Sequence, residues 1–205
     1  EIKKGTITII PHMYGIPTDI TKIEDTNVIE DCAQALGAKI NGVSVGLHGN
    51  AGIFSFYATK LITTGGHGGM YVSKDKKLVD SVRDYREFDL RHDQKKRFNF
   101  QMTEIQAAIG REQLKKLPKF LERREEIFQK YKKEGLELLD VGINQNHLSP
   151  IRYRAVMKTS EPKKIIKSLE SVNVKAIVPT EDWELLGKHE LLPNSVELSR
   201  KTVSL

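Results

Sequence analysis

A chain of 205 residues, 39% hydrophobic and 29% charged, carries enough apolar material for one large domain or a domain and a half. Its 33 basic and 27 acidic residues leave a net charge of +6, but the signs are interleaved, as in KDKKLVDSVRDYREFDLRHDQKKR, and no aromatic-basic module accompanies them. The charge therefore reads as a solvated face, with no nucleic-acid partner, and a basic surface also suits an anionic small substrate. The single cysteine, Cys32, rules out an intramolecular disulfide, and no run approaches the length of a membrane helix. A cytoplasmic address away from membranes is the expectation.

The first 10 residues, EIKKGTITII, are basic and then apolar, but the apolar part is β-branched and leads into PHMYG, so it reads as a strand and not as a leader. Four short apolar segments have strand length: TITIIPH (6–12), NVIED (27–31), GIFSFY (52–57) and GGMYVS (68–73). The stretch GIPTDITKIEDT between the first two is just long enough for a short crossover helix joining parallel strands. The pattern predicts a mostly parallel sheet flanked by helices, an α/β fold.

KDKKLVDSVRDYREF then predicts a helix. Thr103 followed by Gln106 has the form of a capping box, and Ile105, Ile109, Leu114, Leu117 and Leu121 recur on one helical face. Pro118 should kink or interrupt that helix. KFLERREEIFQKYKKEG continues as a charged helix ending at Gly135. Beyond DVGINQNHLSP, IRYRAVMK (151–158) and VKAIVP (174–179) read as strands on either side of a helix over EPKKIIKSLESVN (161–173). The predicted organisation is a large domain over 1–118, a linking helix and loop over 119–148, and a small α/β domain over 149–205.

Two residues attract chemical interest by position. Asp31 ends an apolar strand, where open α/β sheets bind ligands, and its carboxylate could hold a positive ring nitrogen or a metal; position alone favours a cap for a helix over CAQALG. Lys60 follows another apolar strand, and its amine could be a nucleophile toward a carbonyl or a snorkelling surface cation. Ser55 could donate to an anion or satisfy a backbone group. Gly65, Gly66, Gly68 and Gly69 allow close backbone approach or positive φ, and His67 among them reads as a turn residue. No dinucleotide or Walker A spacing, no GxSxG and no paired histidine spacing for a metal occurs.

Three blocks in order, VIEDCAQALGA, GNAGIFSFYATKLITTGGHGGM and FNFQMTEIQAAIG, resemble the DegT/DnrJ/EryC1/StrS family of sugar aminotransferases, fold type I enzymes that use pyridoxal phosphate. The resemblance runs from about TITIIPHMYG to TVSL. It implies that Lys60 bonds the cofactor aldehyde, that Asp31 pairs with the pyridinium nitrogen, and that Gln34 approaches the ring hydroxyl. It further implies that Ser55 donates to the cofactor phosphate and that Asn99 reaches the phosphate bound by a neighbouring subunit, hence a homodimer with shared sites. A lysine at position 60, where a related group of dehydratases has histidine, implies transamination, with glutamate as donor and a nucleotide-linked keto sugar as acceptor.

The family pattern extends further on both sides and carries a longer crossover between Gly15 and Val28. It has an arginine where Gln101 stands and an acidic residue where His67 stands. The chain is therefore expected to represent an incomplete family member. A non-catalytic interaction protein on the same scaffold is the alternative expectation.

Overall fold

The computed structural model describes residues 5–24 and 27–205, which form two compact units. The first comprises the described residues up to 123 together with 141–153, the second residues 124–140 and 154–205.

The first unit is built on a four-stranded sheet. β1 (Ile7–Pro11) and β2 (Asn27–Asp31) pair in parallel, with Ile7 opposite Asn27 and Pro11 opposite Asp31. The predicted crossover helix is not formed among the described residues between them. A short 3-10 turn, Met13–Gly15, is followed by irregular chain. Gly15 takes φ +86, Pro17 follows, and Asp19 Oδ1 accepts from the Thr21 amide at 3.1 Å, so the segment is consumed by local turns. It still buries Ile20 against Ile10 and Val28. The last two residues of that segment, 25 and 26, lie outside the described residues.

After β2 the chain makes two successive turns instead of a helix over CAQALG, closed by Ala35 N–H to Cys32 O and Ala38 N–H to Ala35 O, both 2.9 Å. β3 (Lys39–Ile40) and β4 (Val43–Ser44) form an antiparallel hairpin. Its two-residue turn is Asn41-Gly42, both at positive φ, as the right-handed twist of a tight hairpin requires. β5 (Ala51–Ser55) then enters the main sheet parallel to β2, with Asp31 opposite Ile53, and β6 (Gly69–Val72) returns antiparallel to β5. The strand order is β1-β2-β5-β6, with two parallel pairings and one antiparallel.

α1 (Lys76–Arg86) begins at Asp75, whose side chain accepts from the Lys77 amide at 2.8 Å. α2 (Glu104–Lys133) opens with the predicted capping box: Gln106 N–H to Thr103 Oγ1 at 3.3 Å, and Thr103 N–H to Gln106 Oε1 at 2.9 Å. Pro118 does not interrupt it. The ring removes one amide donor, but buried Leu117 and half-buried Leu121 on either side pack into the core and hold the helix through that point. The helix closes with Gly135 at φ +85, Gly135 N–H to Lys132 O and Leu136 N–H to Tyr131 O, a Schellman ending.

β7 (Leu148–Ser149) pairs with β3 and brings Ile151 and Tyr153 into the core formed by Cys32, Ala35, Ala38, Ile40 and Val45. In the second unit, β8 (Val156–Lys158) precedes α3 (Pro162–Glu170), and α4 (Pro193–Arg200) leads into β9 (Thr202–Ser204), which pairs antiparallel with β8. The strand predicted over 151–158 is thus confined to its last three residues. That predicted over 174–179 is reduced to one bridge, Ile177 to Ser204. Phe128, Val156, Ala176 and Val203 are buried here. No helix among the described residues is long and apolar enough to cross a membrane.

Candidate active site at the carboxyl ends of the sheet

Because β2 and β5 are parallel neighbours, their carboxyl ends lie on one edge of the sheet. Asp31 ends β2, and Ser55 ends β5 two residues beyond the partner of Asp31. The chain then turns, with Lys60 N–H bonded to Tyr57 O at 2.9 Å, and Lys60 stands beyond the same edge. This is where ligands bind in open α/β sheets. The sheet topology thus brings Asp31, Ser55 and Lys60 together.

Asp31 is half-buried. Its Oδ1 accepts the Ala33 amide at 3.0 Å, so the capping geometry exists, but it closes a turn and not a helix. Among the described residues nothing bonds to Oδ2, and no buried side-chain oxygen or nitrogen lacks a partner, so Oδ2 borders open space. Lys60 is also half-buried; its ammonium lies 5.6 Å from the centroid of the Tyr153 ring and makes no ion pair among the described residues. One end of the edge therefore offers a free carboxylate oxygen, the other an amine without a counter-charge. A carboxylate oxygen that accepts and an amine that can act as a nucleophile are chemically suited to a group carrying both an N–H and a carbonyl.

Gln34 lies in the turn after Asp31, where its Oε1 accepts the Tyr14 amide at 2.8 Å and fixes the side chain toward the loop after β1. Ser55 Oγ accepts the Tyr57 amide at 3.3 Å. That bond leaves the hydroxyl hydrogen available to an anion. Asn99 is not brought to this group: it is exposed on a segment bonded to the end of α1 through Phe98 N–H to Tyr85 O and Phe100 N–H to Arg86 O.

The glycine cluster serves both purposes expected of it. Gly65 and Gly66 take φ +82 and +138, and a side chain on Gly69 would meet Phe54 O at 2.9 Å. His67 packs against Tyr57 with the rings tilted by 46° and their centroids 5.3 Å apart.

Sequence reasoning missed a buried polar cluster directly behind Asp31. Glu30, on the opposite face of β2, is fully buried and accepts from His12 Nε2 at 3.0 Å, Gly46 N–H at 2.7 Å, and His48 and Gly49 N–H at 2.8 Å each. Burial pushes the Glu30 carboxyl up, but the hydrogen bond from His12 and those from the three amides outweigh it and hold its pKa at about 2. Cys32 is buried beside it, and burial next to Glu30 and Asp31 pushes its thiol far above the usual range, so it is a packing residue and not a nucleophile. The one available sequence signal was an acid at an inward-facing position: Val28 and Glu30 share a face of β2.

Fold and edge together define a chain with the architecture of fold type I aminotransferases. The sequence pattern of the DegT/DnrJ/EryC1/StrS aminotransferase family matches residues 1–186, and the chain belongs to that family.

Among curated relatives, GDP-perosamine synthase of Escherichia coli O157:H7 is 40% identical over 142 residues, covering 63% of this chain and 38% of that protein. The dTDP-3-amino-3,4,6-trideoxy-alpha-D-glucose transaminase of Micromonospora megalomicea subsp. nigra is 30% identical over 183 residues, covering 80% of this chain and 48% of that protein. The match thus spans less than half the length of either relative.

Among solved structures, DesV of S. venezuelae, in complex with a ketimine intermediate, superposes with a TM-score of 0.85 at 23% identity over 98% of this chain and 59% of that one. A DegT DnrJ EryC1 StrS aminotransferase from Brucella abortus superposes with a TM-score of 0.83 at 22% identity over 96% and 58%. These likenesses establish the fold.

Proposed function

We propose that this chain carries the lysine and carboxylate of a pyridoxal-phosphate-dependent aminotransferase that moves an amino group from glutamate to a nucleotide-linked keto sugar. The observation that carries the reading is the common sheet edge: Asp31 ends β2 and Lys60 lies just beyond the end of its parallel neighbour β5, Asp31 Oδ2 accepting no bond and the Lys60 ammonium making no ion pair among the described residues. When bound, the cofactor supplies an aldehyde for covalent attachment and a protonated ring that draws electrons from the substrate's α-carbon. Asp31 Oδ2 would accept the ring N–H and keep that proton in place. Lys60 Nζ would hold the cofactor through its aldehyde, with water as the leaving group, and as a free amine it would serve as the base that carries the substrate's α-proton. Ser55 Oγ would donate to the phosphate, and Gln34, its Oε1 already bonded to the Tyr14 amide, would offer its NH2 to the ring hydroxyl.

The substrate class is supported by the relatives, whose names are those of sugar-nucleotide enzymes. Asn99 stands exposed, open to a second copy of the chain, and in this reading it serves the partner's phosphate in a cytoplasmic homodimer.

The test is direct. Purified chain mixed with pyridoxal phosphate should gain a visible absorption band, and borohydride should fix the cofactor to the peptide containing Lys60. No band and no labelled peptide would overturn the proposal.

A further inference from the structure

The Glu30 cluster ties three separate stretches of chain at one point. His12 lies in the loop after β1, Glu30 in β2, and Gly46, His48 and Gly49 in the loop before β5. Thr18 N–H donates to His12 Nδ1 at 3.0 Å, so Nδ1 is an acceptor and Nε2 carries the proton given to Glu30. All four acceptor positions of the carboxylate are filled, which suits an ionised group and leaves none for a metal, although the ligand atoms of His12, Glu30 and Cys32 lie within 4.8 Å of one another.

The loop is shaped to deliver bare amides. Gly46 takes φ +88, with the Phe54 ring 2.9 Å from where a Cβ would stand, and a Cβ on Gly49 would lie 2.6 Å from Val28 O.

This clamp lies one residue from Asp31. Alternation along β2 puts Glu30 on one face and Asp31 on the other, so the two side chains do not compete for space. One segment gathered by Glu30 also holds the peptide of Asp31 directly, through His12 N–H to Asp31 O at 3.0 Å, and the strand that follows the other, β5, holds it through Cys32 N–H to Ile53 O at 2.8 Å. We propose that Glu30 is a positioning residue for Asp31, its buried carboxylate drawing the loops after β1 and before β5 together and so fixing the strand end from which Asp31 projects. For catalysis this rests on the aminotransferase reading above; for the geometry of Asp31 it does not.

The test uses the chain without cofactor. The Ala33 amide bonds to Asp31 Oδ1 and reports its position by hydrogen exchange. Glu30→Gln places an amide NH2 where His12 or Gly46 already donates, and it should speed exchange at Ala33 and Cys32 by about tenfold or more while α1 and α2 stay protected. His12→Leu removes one of the four donors, since leucine has no side-chain N–H to offer Glu30, and should act in the same direction by a smaller factor, which keeps the test usable if the first variant does not fold. Unchanged exchange at Ala33 in either folded variant overturns the proposal. So does equal acceleration at Ala33, α1 and α2 in both variants, which would make the clamp a global support.

A cycle with Asp31→Asn separates this proposal from the functional reading. Glu30→Gln should weaken pyridoxal phosphate binding about tenfold with Asp31 present and by less than about twofold once Asp31→Asn is made. Equal losses in both backgrounds overturn positioning while leaving the functional reading intact. If Asp31→Asn leaves cofactor affinity unchanged, the functional reading falls, and the exchange result still decides the role of Glu30.

Discussion

The Lys60 ammonium stands over the Tyr153 ring, 5.6 Å from its centroid, and the Tyr153 hydroxyl donates to the carbonyl of Thr59, the residue before Lys60, at 3.4 Å. A cation over an aromatic face is held by the ring quadrupole, a contribution of about 0.5–1 kcal/mol where water has partial access. Tyr153 is also part of the core, at 8% exposure. Tyr153→Phe keeps the buried ring and loses the hydroxyl, so it should cost about 1 kcal/mol per hydrogen bond removed. Tyr153→Ala should cost about 3–5 kcal/mol through the cavity it leaves. Urea midpoints at constant m-value measure both, and equal midpoints for the two variants would contradict the packing role.

Asp31→Asn keeps the shape of the side chain and its bond from Ala33 but removes the charge offered at Oδ2. A charge-assisted hydrogen bond contributes about 1.5–3 kcal/mol, so cofactor affinity should fall roughly 10- to 150-fold with little change in stability. A spectroscopic titration with pyridoxal phosphate gives the ratio. Lys60→Arg, in contrast, should leave cofactor that dialyses away and no borohydride-fixed label, because guanidinium stays protonated and cannot attack the aldehyde.

Acid should loosen the first unit through Glu30. Its pKa drops from 4.5 to about 2 on folding, so its contribution is complete above about pH 4.5 and disappears as pH falls toward 2. The shift corresponds to about 3 kcal/mol. Asp19, held at about 2 chiefly by the Thr21 hydroxyl, has the same sign. Wild-type stability should therefore rise between pH 2 and 5, and Glu30→Gln should flatten the rise without abolishing it. Denaturant midpoints across that range give both slopes; parallel slopes would contradict the ionised clamp.

Two glycines separate steric from torsional constraint. A side chain on Gly49 would stand 2.6 Å from the backbone of Val28, whereas one on Gly42 would meet nothing but would sit at φ +76. Gly42→Ala should cost about 1 kcal/mol, the penalty of a left-handed residue. Gly49→Ala should cost more, about 2 kcal/mol or above, because the strand and not a flexible side chain must move. Thermal unfolding ranks the two, and the reverse order would contradict the close approach.

What the sequence determined by itself were features written in neighbouring residues. The β-branched run at 7–11, the Thr103–Gln106 box and the Gly135 ending each formed where their local chemistry placed them. The Asn41-Gly42 turn was equally local and was overlooked, although asparagine-glycine between apolar residues is the strongest short hairpin signal.

The order of three blocks likewise carried the resemblance to the family. Other features were decided only by the tertiary structure. GIPTDITKIEDT contains helix-compatible residues, yet its turns and the burial of Ile20 win; Pro118 stays within a helix because core packing outweighs one lost hydrogen bond. The partners of Glu30 are 16 to 19 residues away, and no local pattern says that a buried acid will meet amides from a glycine loop. Bonds of that kind form only when the sheet assembles, since burying the carboxylate is unfavourable until every donor is in place.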